Sequence, residues 1–136
     1  MNSLDTNVLV YAVSPAEGAR EKAARKLLAR ATHAGWVIPA QVYGEFFAVM
    51  TRRQYMTRKA ARAAIEAFTA VMPALPSTVT AHAAALKLAT ERQVQYWDAL
   101  IIAICAEHGV KQLYTEDAAS AVKLLGVKLV SPFTVK

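Results

Sequence analysis

Residues 96–106 read Tyr-Trp-Asp-Ala-Leu-Ile-Ile-Ala-Ile-Cys-Ala. Its last eight residues are all apolar, which predicts a helix that is enclosed by protein on every side. Eight residues are too few to span a bilayer, so the run does not indicate a membrane segment. We therefore expect a central buried helix with the rest of the chain packed around it.

The first turn of this helix carries one charged residue, Asp98. The positions three and four residues further on are Ile101 and Ile102, so no cation of the same helix faces the carboxylate. Two interpretations are open. Asp98 caps the helix by accepting a backbone amide, or its carboxylate points toward a site that it shares with other acids.

The size and composition of the chain predict one domain that spans residues 1–136. With 136 residues and a hydrophobic content of 55%, the chain can bury a substantial core. The single cysteine, Cys105, lies inside the apolar run, which excludes a disulfide framework and fits a reducing cytoplasm. The first residues lack the features of a signal peptide. We therefore expect a cytoplasmic protein without a membrane attachment.

The charge of the chain favours a polyanionic partner. The net charge is +6 and the sequence pI is about 9.7, which favours a nucleic acid first and an acidic protein second. Acidic residues number only ten, so the positions of the aspartates are informative. The aspartates are Asp5, Asp98 and Asp117.

Short strands alternate with helices along the chain. The strand candidates are residues 1–4, 36–38, 111–114 and 127–130, with a short edge strand between Pro73 and Pro76. The helix candidates are residues 8–13, a helix from the capping box Ser14-Pro15-Ala16-Glu17 to about 32, and residues 40–53, 58–72, 78–92, 96–106 and 118–125. This alternation, without a hairpin signal such as Asn-Gly, predicts an α/β fold with a mainly parallel sheet that is covered on both faces.

Four acidic residues are expected to meet at one edge of this sheet. Asp5 and Asp117 each directly follow a strand candidate, and the ligand crevice of a parallel sheet lies beyond the carboxyl ends of its strands. Crossover helices start at the same edge, which adds Asp98 in one first turn and Glu45 in another helix's second turn. Each acid also has a separate explanation, since Asp5 and Asp117 occupy positions typical of helix caps.

Carboxylates gathered at one place predict a cation site. They repel one another unless a cation holds them. Oxygen ligands without cysteine or nearby histidine favour Mg²⁺ or Mn²⁺ over zinc. Magnesium binds carboxylates together with phosphate oxygens, so an acidic cup on a basic protein indicates phosphodiester hydrolysis. The five glycines form neither a P-loop nor a dinucleotide-binding motif.

Four sequence blocks together point to a family. They are Leu4-Asp5-Thr6-Asn7, Glu45 in an apolar helix, residues 96–101, and Tyr114-Thr115-Glu116-Asp117. In order and spacing, over nearly the whole chain, they resemble the PIN-domain ribonucleases, in particular the VapC-type toxins of bacterial toxin–antitoxin pairs. The resemblance implies a three-layer α/β/α sandwich, endoribonuclease activity with Mg²⁺ or Mn²⁺, frequent homodimerisation, and inhibition by a cognate antitoxin.

The resemblance also implies roles for individual residues. The acidic catalytic site of the family corresponds to Asp5, Glu45, Asp98 and Asp117. Of these, Asp5 and Asp98 would be the principal metal ligands, Asp117 would be a direct or water-mediated ligand, and Glu45 would be a ligand or would orient the attacking water. The supporting polar positions correspond to Thr6, Asn7 and Thr115. Ala118 follows where relatives often carry a bulkier apolar residue, a departure that concerns local packing.

A cluster of cations surrounds the turn after the predicted helix of residues 40–53. Its members are Arg52, Arg53, Arg58, Lys59 and Arg62. These side chains either contact RNA phosphates or a partner's acidic residues, or they form a plain solubilising surface.

Two other functions are alternatives to the nuclease. One is a non-catalytic module that binds nucleic acid or protein through its basic helices, with the acids acting as helix caps. The other is a phosphohydrolase similar to the haloacid dehalogenases. Such an enzyme needs a second aspartate two residues after the first, and this chain has Asn7 there.

Overall fold

The computed structural model describes residues 1–116 and 122–133. The helices in this part of the chain are α1 (Thr6–Val13), α2 (Ala19–Ala34), α3 (Ala40–Arg52), α4 (Arg58–Val71), α5 (Val79–Arg92) and α6 (Tyr96–Glu107). The strands are β1 (Asn2–Leu4), β2 (Ile38–Pro39), β3 (Ala74–Leu75), β4 (Gln112–Tyr114), β5 (Lys123–Leu124) and β6 (Val127–Val130). The predicted α/β fold is confirmed.

The central sheet is mainly parallel, as predicted. Its strand order is β1-β4-β6-β5, in which β1 pairs parallel with β4, β4 pairs parallel with β6, and β5 pairs antiparallel with β6. Leu4 at the end of β1 lies opposite Tyr114 at the end of β4. A separate parallel pair joins β2 and β3. Because β1 and β4 run in the same direction, the residues that follow them, Asp5 and Thr115, emerge side by side.

Helix α6 is the buried centre that the apolar run predicts. Each residue from 99 to 105 is at most 3% exposed, and these side chains belong to one core with Leu4 and Leu113 of the sheet. Burial raises the pKa of the Cys105 thiol to about 12. The thiol therefore stays protonated at neutral pH and packs as a small apolar side chain, as expected.

The predicted start of α2 at the capping box is wrong. The helix begins at Ala19, after Gly18 as the N-cap residue. Ser14 instead ends α1, where its backbone N–H donates to the Tyr11 carbonyl at 3.3 Å. Its hydroxyl accepts a hydrogen bond from the Ala16 amide at 3.2 Å. Because Ser14 completes the preceding helix, it cannot also start the next one.

The predicted helix of residues 118–125 is wrong at its C-terminal end, and residues 118–121 lie outside the described residues. Lys123 and Leu124 form β5, which turns back on β6 through Leu125 and Gly126. Both turn residues have positive φ, 51° and 80°. Two consecutive left-handed residues are typical of a tight hairpin turn. The hairpin escaped prediction because Leu-Gly lacks the usual Asn at the first position.

Replacing Leu125 with asparagine is expected to stabilise the protein by about 0.5 to 1 kcal/mol. A left-handed conformation costs roughly 1–2 kcal/mol for a residue such as leucine, and asparagine tolerates it better. The side chain is 46% exposed, so little packing is lost. Urea unfolding measures the change. As a control, Leu86→Asn on the exposed face of α5 should destabilise, because asparagine is a weaker helix former. A loss of stability in Leu125→Asn would contradict the turn geometry.

Candidate functional site

Asp5 lies at the carboxyl end of β1 and is fixed there by the backbone. Its amide donates to the Tyr114 carbonyl at 2.9 Å, which continues the pairing of β1 with β4. Its Oδ1 accepts the Thr6 amide at 2.7 Å, so Asp5 is the N-cap residue of α1. The residue is 8% exposed. The capping interpretation is therefore correct for Asp5, and it leaves the carboxylate at the edge of the sheet where a site was expected.

The second carboxylate oxygen of Asp5 is held by the neighbouring strand. The Thr115 hydroxyl donates to Asp5 Oδ2 at 2.8 Å, and the Thr115 amide donates to the Val130 carbonyl at 2.9 Å. Thr115 is buried. Both oxygens of Asp5 thus accept a hydrogen bond from a fixed donor, which orients the carboxylate without rotamer freedom.

Glu45 joins the same cluster through Thr6. The helix α3 buries Val42, Phe46 and Met50 completely, which leaves Glu45 half-buried at the border of the apolar face. The Thr6 hydroxyl donates to Glu45 Oε1 at 2.6 Å. Thr6 therefore connects the carboxylates of Asp5 and Glu45, one through its backbone amide and the other through its hydroxyl.

A glutamine that the sequence analysis did not single out holds the other oxygen of Glu45. The Gln41 amide nitrogen Nε2 donates to Glu45 Oε2 at 2.6 Å. The same nitrogen donates to the Trp97 carbonyl in the first turn of α6, at 3.1 Å. The spacing of Gln41 and Glu45 could have indicated this contact, because residues four apart on a helix are neighbours.

Asp98 does not cap α6, so the first of the two interpretations of this residue is wrong. The N-cap residue is Gln95, whose Oε1 accepts the amides of Trp97 and Asp98 at 3.1 and 3.2 Å. The half-buried Asp98 side chain lines a cleft of about 270 Å³ together with Asp5 and Glu45. Three of the four predicted acids are therefore brought to one cleft.

The fourth predicted acid, Asp117, lies outside the described residues. Within residues 1–116 and 122–133, no three acidic, histidine or cysteine side chains are close enough together to hold a metal ion. The donors of the cleft are nonetheless oxygens, chiefly the carboxylates of Asp5, Glu45 and Asp98, and no cysteine is among the described residues that line it. Such oxygens fit Mg²⁺ or Mn²⁺ better than a softer metal.

Asn7 lines the cleft, but its side chain is directed to Glu116. Asn7 Nδ2 donates to Glu116 Oε2 at 3.0 Å. The other oxygen of Glu116 accepts Tyr11 Oη at 2.8 Å and the Arg20 guanidinium at 2.6 Å. Burial, followed by the bond to Glu116, raises the pKa of the Tyr11 hydroxyl. These hydrogen bonds connect Glu116 to α1 and α2. No local pattern in the sequence predicts them.

The cation cluster divides between two places. Arg52 lines the acidic cleft, whereas Arg62 lies 3.5 Å from Glu66 on α4. All five predicted cations are exposed; the other three are Arg53, Arg58 and Lys59. Among the described residues that line the cleft, Arg52 is the only cation beside the carboxylates.

Comparison with known proteins gives one family. Residues 3–123 match the PIN domain family, a range that includes all four predicted acids. No curated protein sequence is significantly similar to the chain. In the residues that the structure describes, no helix is long and apolar enough to cross a membrane.

Several solved structures share the fold. VapC20 of Mycobacterium tuberculosis, a toxin that cleaves the sarcin–ricin loop, is 21% identical with a TM-score of 0.70, over 88% of this chain and 92% of that chain. A toxin–antitoxin complex from Klebsiella pneumoniae is 18% identical with a TM-score of 0.72, over 99% and 100%. VapBC2 from Rickettsia felis, bound to a DNA fragment from its promoter, is 15% identical with a TM-score of 0.69, over 96% and 97%.

Proposed function

Because this chain belongs to the PIN domain family, we propose that it is a divalent-metal-dependent endoribonuclease that hydrolyses RNA phosphodiester bonds. The observation that carries the proposal is the convergence of Asp5, Glu45 and Asp98 on one cleft from three distant parts of the chain. Convergence of like charges at a sheet edge is costly unless a cation is bound there. A phosphodiester substrate supplies further oxygen ligands for such a cation.

The proposed metal ion is Mg²⁺ or Mn²⁺, with Asp5, Asp98 and Asp117 as its protein ligands. Magnesium is usually bound by one or two carboxylates plus water and phosphate oxygens, so Asp5 and Asp98 alone would be a sufficient set of protein ligands. When bound, the ion would make a water molecule more acidic and would stabilise the charge that develops on the phosphate. Asp5 is already oriented for this task by Thr6 and Thr115.

Glu45 and Arg52 have complementary proposed roles in the cleft. Glu45 is held at both oxygens, so it can orient the attacking water or serve as a further ligand. Arg52 is exposed on the same cleft and would bind an RNA phosphate next to the scissile bond. The remaining cations of the cluster, Arg53, Arg58, Lys59 and Arg62, would extend the phosphate contact and make RNA binding sensitive to salt.

We further propose that the protein is the toxin of a toxin–antitoxin pair in the cytoplasm, with a cognate antitoxin as its partner and a homodimer as its assembly. Similar folds occur in the toxin–antitoxin complex from Klebsiella pneumoniae and in VapBC2 from Rickettsia felis. The dehalogenase-like alternative is weakened by Asn7. Its side chain is an amide rather than the required acid, and it is bound to Glu116.

The experiment that tests the activity is an RNA cleavage assay with the purified chain, freed of any antitoxin. RNA is incubated with the protein and Mn²⁺, with Mg²⁺, and with EDTA. Cleavage that requires the metal and stops with the chelator is expected. RNA that is bound tightly but stays intact in all three reactions would instead favour the non-catalytic binding module.

Replacing Thr115 with valine is expected to lower the cleavage rate about ten- to a hundredfold. The change removes the hydroxyl that donates to Asp5 Oδ2 and preserves the shape of the side chain. Residues that orient a metal ligand typically contribute to activity by this factor. Single-turnover cleavage measures the effect. Thr90→Val on the exposed surface of α5 is the matched control and should cleave at the parental rate. A parental rate in Thr115→Val would contradict the role of this hydroxyl.

A further inference from the structure

We infer that Gln41 is a positioning residue that fixes Glu45 relative to helix α6. This inference rests on the proposed function. Its side-chain amide donates to Glu45 Oε2 at 2.6 Å and to the Trp97 carbonyl at 3.1 Å. Trp97 immediately precedes Asp98. One amide group thereby connects the glutamate of α3 to the turn of α6 that carries the neighbouring acid of the cleft.

The orientation of this amide follows from its two partners. A carboxylate and a backbone carbonyl are both acceptors, so they must face the NH₂ group of Gln41 and not its oxygen. Rotating the amide by half a turn would place Oε1 against two oxygens and would lose both hydrogen bonds. The observed orientation is therefore the one in which Gln41 bonds both Glu45 and the Trp97 carbonyl.

This arrangement leaves the amide oxygen of Gln41 without a partner. Oε1 is buried, and no hydrogen-bond donor reaches it within residues 1–116 and 122–133. A buried acceptor without a donor reduces stability. An apolar side chain of similar shape would avoid this cost, but it would lose the hydrogen bonds to Glu45 Oε2 and to the Trp97 carbonyl. The glutamine therefore leaves one oxygen without a partner and makes two contacts that position Glu45.

Two hydrogen bonds fix the Glu45 carboxylate, and they connect it to different helices. The Thr6 hydroxyl at 2.6 Å from Oε1 belongs to α1, which Asp5 caps. The Gln41 amide connects Glu45 to α6, because it also donates to the Trp97 carbonyl. Without Gln41, Glu45 keeps its connection to Asp5 and loses its connection to the turn that carries Asp98. No hydrogen bond at Glu45 then fixes the distance between α1, which follows Asp5, and the first turn of α6, which carries Asp98.

The test replaces Gln41 with methionine, which has a similar length and no donor. We expect kcat for RNA cleavage to fall at least about tenfold with KM nearly unchanged, and Mn²⁺ affinity, measured by the loss of the free-ion EPR signal, to weaken about ten- to a hundredfold. The unfolding temperature should change little, because the loss of two hydrogen bonds is offset by removal of the buried oxygen that has no donor. Gln41→Glu, which places an acceptor against two acceptors, should be worse than Gln41→Met in kcat.

The control is Gln54→Met, at an exposed position in the turn after α3, which should match the parent in every measurement. A lower unfolding temperature in Gln41→Met with parental kcat and Mn²⁺ affinity would mean a structural role only and would overturn the inference. So would parental behaviour of Gln41→Glu. A parent that binds Mn²⁺ but does not cut RNA would refute the proposed nuclease, while Mn²⁺ affinity and unfolding still decide the role of Gln41. A parent that neither cuts RNA nor binds Mn²⁺ would refute both.

Discussion

Replacing Asp98 with asparagine is expected to abolish RNA cleavage and to leave the fold intact. The loss should exceed about a hundredfold, because residues that merely support a metal ligand already contribute ten- to a hundredfold. The fold should survive because Gln95, not Asp98, caps α6. Asparagine keeps the shape of the side chain and removes only its charge. Cleavage with Mn²⁺ and thermal unfolding are measured on the same preparation.

The control for this prediction is Glu91→Gln, a neutralised acid on the exposed surface of α5. It changes the net charge by the same amount, so a general effect of charge on RNA binding would appear in both variants. Full activity of pure Asp98→Asn would end the assignment of this residue as a metal ligand. Loss of activity together with early unfolding would instead indicate that Asp98 supports the helix.

The sequence was informative wherever one local rule determined the outcome. An acid directly after a strand must lie at the carboxyl edge of the sheet. Asp5 does so, since it follows β1, which ends at Leu4 and pairs parallel with β4. The sequence placed Glu45 in the second turn of an apolar helix, and it lies in the second turn of α3. The apolar run of residues 99–105 could be buried only at the centre of the molecule.

Local signals failed where two elements competed for the same residues. Ser14 has the sequence of a helix start, yet it is the C-cap residue of α1, and α2 begins only at Ala19. Gly126 has the sequence of a helix stop, yet it forms a hairpin turn with Leu125 because β6 offers a free edge to β5. Ser14 thus bonds back into α1, whereas Gly126 lies in a turn whose two sides pair as strands.

The hydrogen bonds between distant residues around the cleft could not be predicted from local patterns, unlike the bond from Gln41 to Glu45 four positions away. Thr115 bonds Asp5, 110 positions away, and Arg20 bonds Glu116, 96 positions away. Such pairs form only after the sheet has brought β1 and β4 together. The acids themselves could be placed by topology, whereas distant donors such as Thr115 depend on side-chain packing that no periodicity encodes.

Replacing Phe46 with alanine is expected to destabilise the protein by about 3–5 kcal/mol. The ring is completely buried and packs edge to face with Phe68, with 5.8 Å between the ring centroids. A domain of this size typically has only about 5–15 kcal/mol of total stability, so the unfolding temperature should fall by more than about 10 °C. Differential scanning calorimetry measures the change.

Phe46 is also the residue whose burial places Glu45 at the border of α3. Phe47 on the same helix is only half-buried, so Phe47→Ala is the matched control and should cost clearly less stability. Below its unfolding temperature, Phe46→Ala should also cleave RNA more slowly than Phe47→Ala, because the helix turn that carries Glu45 has lost its packing. Equal losses of stability in the two variants would show that α3 does not bury this face as the structure describes.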